Sequence, residues 1–136
     1  METIYNSSVQ LIEYDVEKTL FKMTWKPASG ELTEEEFKAE MLEYLELLKK
    51  YKPLNTFWDM RKLEFIISPG VQEWIDSQAV AEAEIIKKQA ILMPHDYIGS
   101  LSVQQTLEEE VASSIATKMS DNEQELINWL EQEATP

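Results

Sequence analysis

Asp59, Arg61 and Lys62 stand together just beyond a strand-like run, Leu54 to Met60, and Ser68-Pro69-Gly70 opens the helix-like stretch that follows. Open α/β sheets usually bind ligands at the carboxyl ends of their strands, so a carboxylate with two cations there could hold a polar group. The plainer reading, which is preferred, has Asp59 paired with local donors and both cations solvated. Ser68 reads first as a helix N-cap, its hydroxyl accepting a backbone N–H for about 1 kcal/mol. The same position suits a phosphoacceptor, because a phosphate at a helix N-terminus meets free N–H groups and the positive end of the dipole. His95, the sole histidine, precedes Asp96, a pairing that base catalysis can use. No nucleophile accompanies it, since cysteine is absent and no serine lies in a Gly-x-Ser-x-Gly turn. No further ligands follow at zinc-binding spacing, so a surface loop is the better reading. Glu108, Glu109 and Glu110 are consecutive, and consecutive residues on a helix face different ways. They make a solvated surface, not a paired acid and base. Gly30, Gly70 and Gly99 stand too far apart for a phosphate-binding loop.

Those residues need a scaffold, and composition bounds it. The 136 residues suit one domain spanning 1–136. Hydrophobic residues make up 43%, and three glycines with five prolines give no sign of disorder. The lack of cysteine excludes a disulfide framework and suits a reducing compartment. With no secretory leader and no run of about 18 apolar residues, a cytoplasmic location is expected. Acidic residues number 26 against 12 basic ones, for a net charge of −14. From Gln89 onward Lys118 is the one base. Phosphate backbones bind proteins largely through Lys and Arg, so nucleic acid is excluded as an expected partner. Anionic membrane surfaces are disfavoured for the same reason.

Periodicity then supplies the elements. Val9 to Val16 and Thr19 to Trp25 read as two strands joined around Glu17-Lys18, and Phe21, Met23 and Trp25 mark the buried face of the second. Thr33 to Tyr51 reads as a helix with a Thr33–Glu36 capping box and an inner face of Phe37, Met41, Tyr44, Leu45 and Leu48. Leu54 to Met60 is a buried strand, and a second helix starts at Ser68-Pro69 with Val71, Trp74 and Ile75 inward. Gln89 to Met93 is a strand, and Ser102 to Ser114 a third helix with Val103, Leu107 and Val111 inward. Ile115 to Met119 is a last strand. A Ser120–Glu123 capping box then opens a final helix lined by Leu126, Ile127 and Leu130. The expected order is β-β-α-β-α-β-α-β-α: an α/β domain with a mixed, mostly parallel five-stranded sheet and four helices.

The stretch Asp59-Met60-Arg61-Lys62-Leu63-Glu64-Phe65-Ile66-Ile67-Ser68-Pro69-Gly70-Val71 resembles the corresponding segment of STAS domains of the anti-sigma-factor antagonist type. There a strand ends in Asp, and a short apolar stretch leads to Asp-Ser-Ser-Gly at a helix start. The end of the chain, from Lys118 through Asp121 to Trp129-Leu130, looks like the close of related STAS/SEC14-type bacterial proteins. The resemblance implies a SpoIIAA-like fold, with Ser68 at the serine that a partner kinase phosphorylates and Gly70 at the glycine. Ile67 stands where the family has Asp, and Pro69 where it has the second Ser. The function implied is regulatory and not enzymatic, exercised through a protein partner and without cofactor or metal; Asp59, Arg61, Lys62 and Gly70 form the interaction loop. SEC14-type relatives bind lipids, which makes an apolar small-molecule ligand the alternative. Trp25, Trp58, Trp74 and Trp129 are then core packing or the lining of an apolar pocket. An open sheet also leaves edge strands that a homodimer could cover.

Overall fold

The computed structural model describes residues 1–94 and 115–132. His95, Asp96, the three consecutive glutamates and the expected helix over 102–114 lie outside the described residues. Within them the chain runs through strands β1 (Glu2–Asn6), β2 (Gln10–Asp15) and β3 (Leu20–Trp25), then helix α1 (Glu34–Tyr51). Strand β4 (Asn55–Asp59), helix α2 (Pro69–Ile85), strands β5 (Lys88–Leu92) and β6 (Ala116–Ser120) and helix α3 (Glu123–Glu131) follow.

The strands form one six-stranded sheet in the spatial order of their sequence. β1, β2 and β3 pair antiparallel, and β3 through β6 pair parallel. The α/β class and the mixed sheet are as expected; the strand count is corrected. Six strands replace five because Glu2–Asn6 is an edge strand with no fully buried residue. Such a strand has no reason to show an apolar alternation, and hydrogen bonds to β2 define it instead. Three α-helices are described where four were expected, and a single 3-10 turn at Pro27–Glu31 buries Ser29 in what the sequence marks as plain loop.

The turn between β2 and β3 has a local cause. The Asp15 carboxylate accepts from the backbone N–H of Glu17 and of Lys18 at 3.1 and 3.2 Å, and Thr19 takes the left-handed conformation that closes the turn. In β3, Phe21, Met23 and Trp25 are buried while Leu20, Lys22 and Thr24 are half-buried, the period of two expected of it. β4 is buried almost throughout because layers cover both its faces. Trp58 joins the main core with α1 and α2, whereas Phe57 joins a smaller one beneath α3 with Ala90, Leu92 and Leu126.

The helices begin as their caps dictate. Thr33 and Glu36 form the reciprocal capping box, and α1 ends where Lys52 turns left-handed ahead of Pro53. The cap of α3 is corrected. Asn122, not Ser120, accepts the Glu125 N–H, at 3.1 Å, while Ser120 accepts from the Asn122 N–H and donates to the Glu125 carboxylate. An Asn at this position serves as well as Ser. Replacing Asn122 or Thr33 with Ala is expected to cost about 1 kcal/mol each. Urea unfolding with an unchanged denaturant slope checks this, and a loss at Thr33 without one at Asn122 would contradict the assigned cap.

Candidate functional site

The segment between β4 and α2 is bound to the rest of the domain almost residue by residue. Asp59, nearly buried, accepts from the Arg61 backbone N–H at 3.1 Å and takes the guanidinium in a two-pronged grip, from Nε at 3.0 Å and Nη2 at 2.8 Å. Burial alone would raise the Asp59 pKa, but the Arg61 hydrogen bonds outweigh it and hold the carboxyl below its ordinary value. Met60 N–H bonds to the Leu92 carbonyl, and Glu64 N–H to the hydroxyl of buried Ser29. Gly30 lies so close to Glu64 that an added Cβ would meet its side chain at 3.0–3.1 Å. Phe65 stacks on Phe37 of α1 at 4.3 Å, and the Ile67 carbonyl accepts from Gln72.

The result is an extended, anchored loop with alternating sidedness. Phe65 and Ile67 point inward, and Ile66 between them is 76% exposed, the highest value among the large hydrophobic side chains of the described residues. Arg61, Lys62, Pro69 and Gly70 are exposed along the same stretch. Gly70 has an ordinary φ and open space where a Cβ would sit, so neither backbone nor packing requires glycine there.

Ser68 caps α2 as the sequence indicates, accepting the Val71 N–H at 3.3 Å. Its hydroxyl also donates to Glu34 in the first turn of α1, at 3.1 Å. Ser68 therefore ties together two helix N-termini that lie at the carboxyl edge of the sheet. The structure thus brings Asp59 and Arg61 into direct contact, with Lys62 beside them, and gives Ser68 a separate partner in Glu34.

A second feature lies between the sheet and the paired helices. Tyr44 of α1 donates its hydroxyl to Glu82 of α2 at 2.7 Å, and both residues are buried. Glu82 borders a small apolar cavity of about 70 Å³ lined by Trp25, Trp58, Met60, Ile75 and Ile91, among others. Trp25, another wall, keeps its indole N–H buried without a partner among the described residues. Sequence reasoning passed over Glu82, although a signal was there: it falls at helical spacing with Val71, Ile75 and Ala79 on the buried face of α2. Ile66 and Ser29 gave no signal, since one is an apolar residue among apolar neighbours and the other a serine in a loop. Among the described residues no group of His, Asp and Glu side chains could hold a metal ion, and no helix is long and apolar enough to cross a membrane.

Comparison with models of protein families finds no match, and searches of curated proteins and of solved structures find no significant one.

Burial pushes Glu82 up from the ordinary 4.5 to about 7, against the opposing effect of the Tyr44 hydrogen bond. Between those values the folded chain keeps a proton that the unfolded chain has released. The stabilisation is therefore complete below pH 4.5 and lost as pH rises through 7; it amounts to roughly 3 kcal/mol. Glu82→Gln keeps the shape without the titration, so its stability relative to wild type should climb across this window in denaturation series at matched pH. A pH-independent difference would show that Glu82 does not titrate there.

Proposed function

We propose that this chain is a SpoIIAA-like, STAS-type binding domain without catalytic activity, acting on a protein partner through the Arg61–Gly70 loop. The observation that carries the reading is Ile66: a large apolar side chain 76% exposed on a loop whose neighbours Phe65 and Ile67 are buried. Exposed apolar groups on a mobile tip need no explanation, but here both flanking residues fix the backbone. A preorganised contact of this kind binds without the ordering cost that a floppy loop incurs. Lys62 sets an exposed positive charge beside it, next to an Arg61 already paired with Asp59, on a chain of net charge −14, which favours a partner with acidic groups around an apolar pocket.

Ser68 supplies the regulatory part of the proposal. A phosphate there would gain the N–H groups at the start of α2. It would also sit against Glu34, which now accepts the Ser68 hydroxyl at 3.1 Å, so like-charge repulsion would part the beginnings of α1 and α2. Phosphorylation accordingly acts to release the partner by disturbing the base of the loop. Ile66→Asp and Lys62→Glu variants, shown folded by circular dichroism, should each lose partner capture by about tenfold or more. Ser68→Glu should weaken capture, and Ser68→Ala should retain it. Capture indifferent to all of these substitutions would remove the loop from the function.

The cavity behind the loop favours a second reading, an apolar ligand with one polar end. A pocket of apolar walls with a few converging polar groups is the usual form of a small-molecule site, and the Trp25 N–H, without a partner among the described residues, and the Glu82 carboxyl are such groups. Native mass spectrometry of the freshly purified chain should then show a bound mass that organic solvent extracts and that Ala79→Trp, which fills the space, abolishes. A chain carrying no such mass, and unresponsive in tryptophan fluorescence to added aliphatic alcohols, leaves the protein-binding reading alone.

A further inference from the structure

The face of the sheet away from α1 and α2 carries one described helix, α3, packed chiefly on β5 and β6. Leu126 is fully buried there with Phe57, Ala90 and Leu92, and Ile127, Trp129 and Leu130 pack around them. Among the described residues the layer ends at that helix. Leu20, Lys22 and Thr24 of β3 remain only half-buried, and beside α3 runs a groove of about 370 Å³. Its floor is Leu20 and Phe57, its wall Ile127 and Leu130, and Met1 and Asp15 lie along the other side.

The rim is charged and already shows what kind of contact it makes. Lys18 meets Glu131 at 3.2 Å and Lys22 meets Glu123 at 3.8 Å, each joining the strand side to the helix. Lys18, Glu123 and Glu131 are substantially exposed and Lys22 is half-buried, so these pairs are exchangeable with solvent or another charged group. Asp15 adds a third carboxylate to the rim, which also carries Met1, and the chain as a whole has a net charge of −14.

We infer that this groove docks a basic amphipathic helix from another protein. The apolar strip lies alongside α3, where the next helix of the same layer would lie, and a helix with apolar residues at i, i+3, i+4 and i+7 presents a matching narrow stripe. Lysine or arginine flanking that stripe would meet Glu123, Glu131 and Asp15, and the field of the chain would speed its approach. A second copy of this chain is the wrong occupant, because it brings the same negative charge. This surface lies on the face opposite α1 and α2, so the inference stands apart from the reading of the Arg61–Gly70 loop.

The test is a titration of the isotope-labelled chain, followed by NMR, with two synthetic helical peptides. One has leucine on one face and lysine on the other; its twin replaces every lysine with glutamate. Saturable shifts at Leu20, Lys22, Phe57, Ile127 and Leu130 are expected with the lysine peptide, and binding at least about tenfold weaker with the glutamate one. The double variant Glu123→Lys with Glu131→Lys changes only exposed groups and should reverse the preference while leaving the fold intact. Leu130→Asp should weaken both peptides. Absence of binding, shifts spread over the surface or centred on the Arg61–Gly70 loop, or equal affinity for the two peptides would overturn the inference. So would concentration-dependent self-association through these same residues.

Discussion

Phe37 is the side chain on which the arrangement of this domain turns. It sits fully within the core between two other rings, Trp25 at the end of β3 at 5.4 Å and Phe65 of the β4–α2 loop at 4.3 Å, both nearly parallel to it. Each such stack contributes about 0.5–1.5 kcal/mol beyond the burial of its area. More important is what the stack connects. A strand end, the middle of the first turns of α1 and an irregular loop share one ring, so the loop cannot move without unstacking the core. The alternation of an extended chain does the rest: with Phe65 and Ile67 both drawn inward, Ile66 between them must face solvent. Its exposure follows from its neighbours' burial.

The sheet order explains why the polar residues of interest gather at one edge. Because β3 to β6 run parallel and in sequence, every helix that follows one of these strands starts from the same carboxyl edge. Asp59, the Ser68 cap and the Thr33 cap consequently come to a common rim. Both α1 and α2 pack on one face, whereas among the described residues the opposite face has α3 over β5 and β6 and a mixed surface of Lys22 and Thr24 over β3. The antiparallel pair β1–β2 extends this half-covered side, as antiparallel strands can because one face tolerates water.

Much of the scaffold could be read from residue order, for reasons that differ by element. α1 was legible to the residue at its N-terminus, since the Thr33–Glu36 box is a local interaction complete within four positions. β3 was legible because one face is buried and the other is not. β1 was illegible because it lies at an edge, where hydrogen bonds to a neighbour and not side-chain burial make the strand. The site was legible in part. Asp59 has a local donor as the plainer reading supposed, but that donor is Arg61, one of the two cations it left solvated; Ser68 caps α2. The Ser68–Glu34 contact was not foreseeable, because it joins residues 34 positions apart that meet only when α1 and α2 are packed. The same holds for Tyr44 and Glu82, separated by 38 positions.

That buried pair also bears on which of the two functional readings demands less of the molecule. A cavity of about 70 Å³ is well below the roughly 150 Å³ of an engineered apolar cavity that admits benzene. A ligand of benzene size would need this space to widen, and the Tyr44–Glu82 hydrogen bond lies on its border. Breaking it strands a hydroxyl and a carboxyl in an apolar setting, at a cost of about 1–3 kcal/mol for each buried group left without a partner. A ligand can meet that cost only by supplying a hydrogen-bonding group of its own at the same point, so a purely hydrocarbon molecule is poorly matched to this interior. The Arg61–Gly70 loop would need no such rearrangement under the protein-binding proposal, because Arg61 is held by Asp59 and the buried Phe65 and Ile67 already fix Ile66.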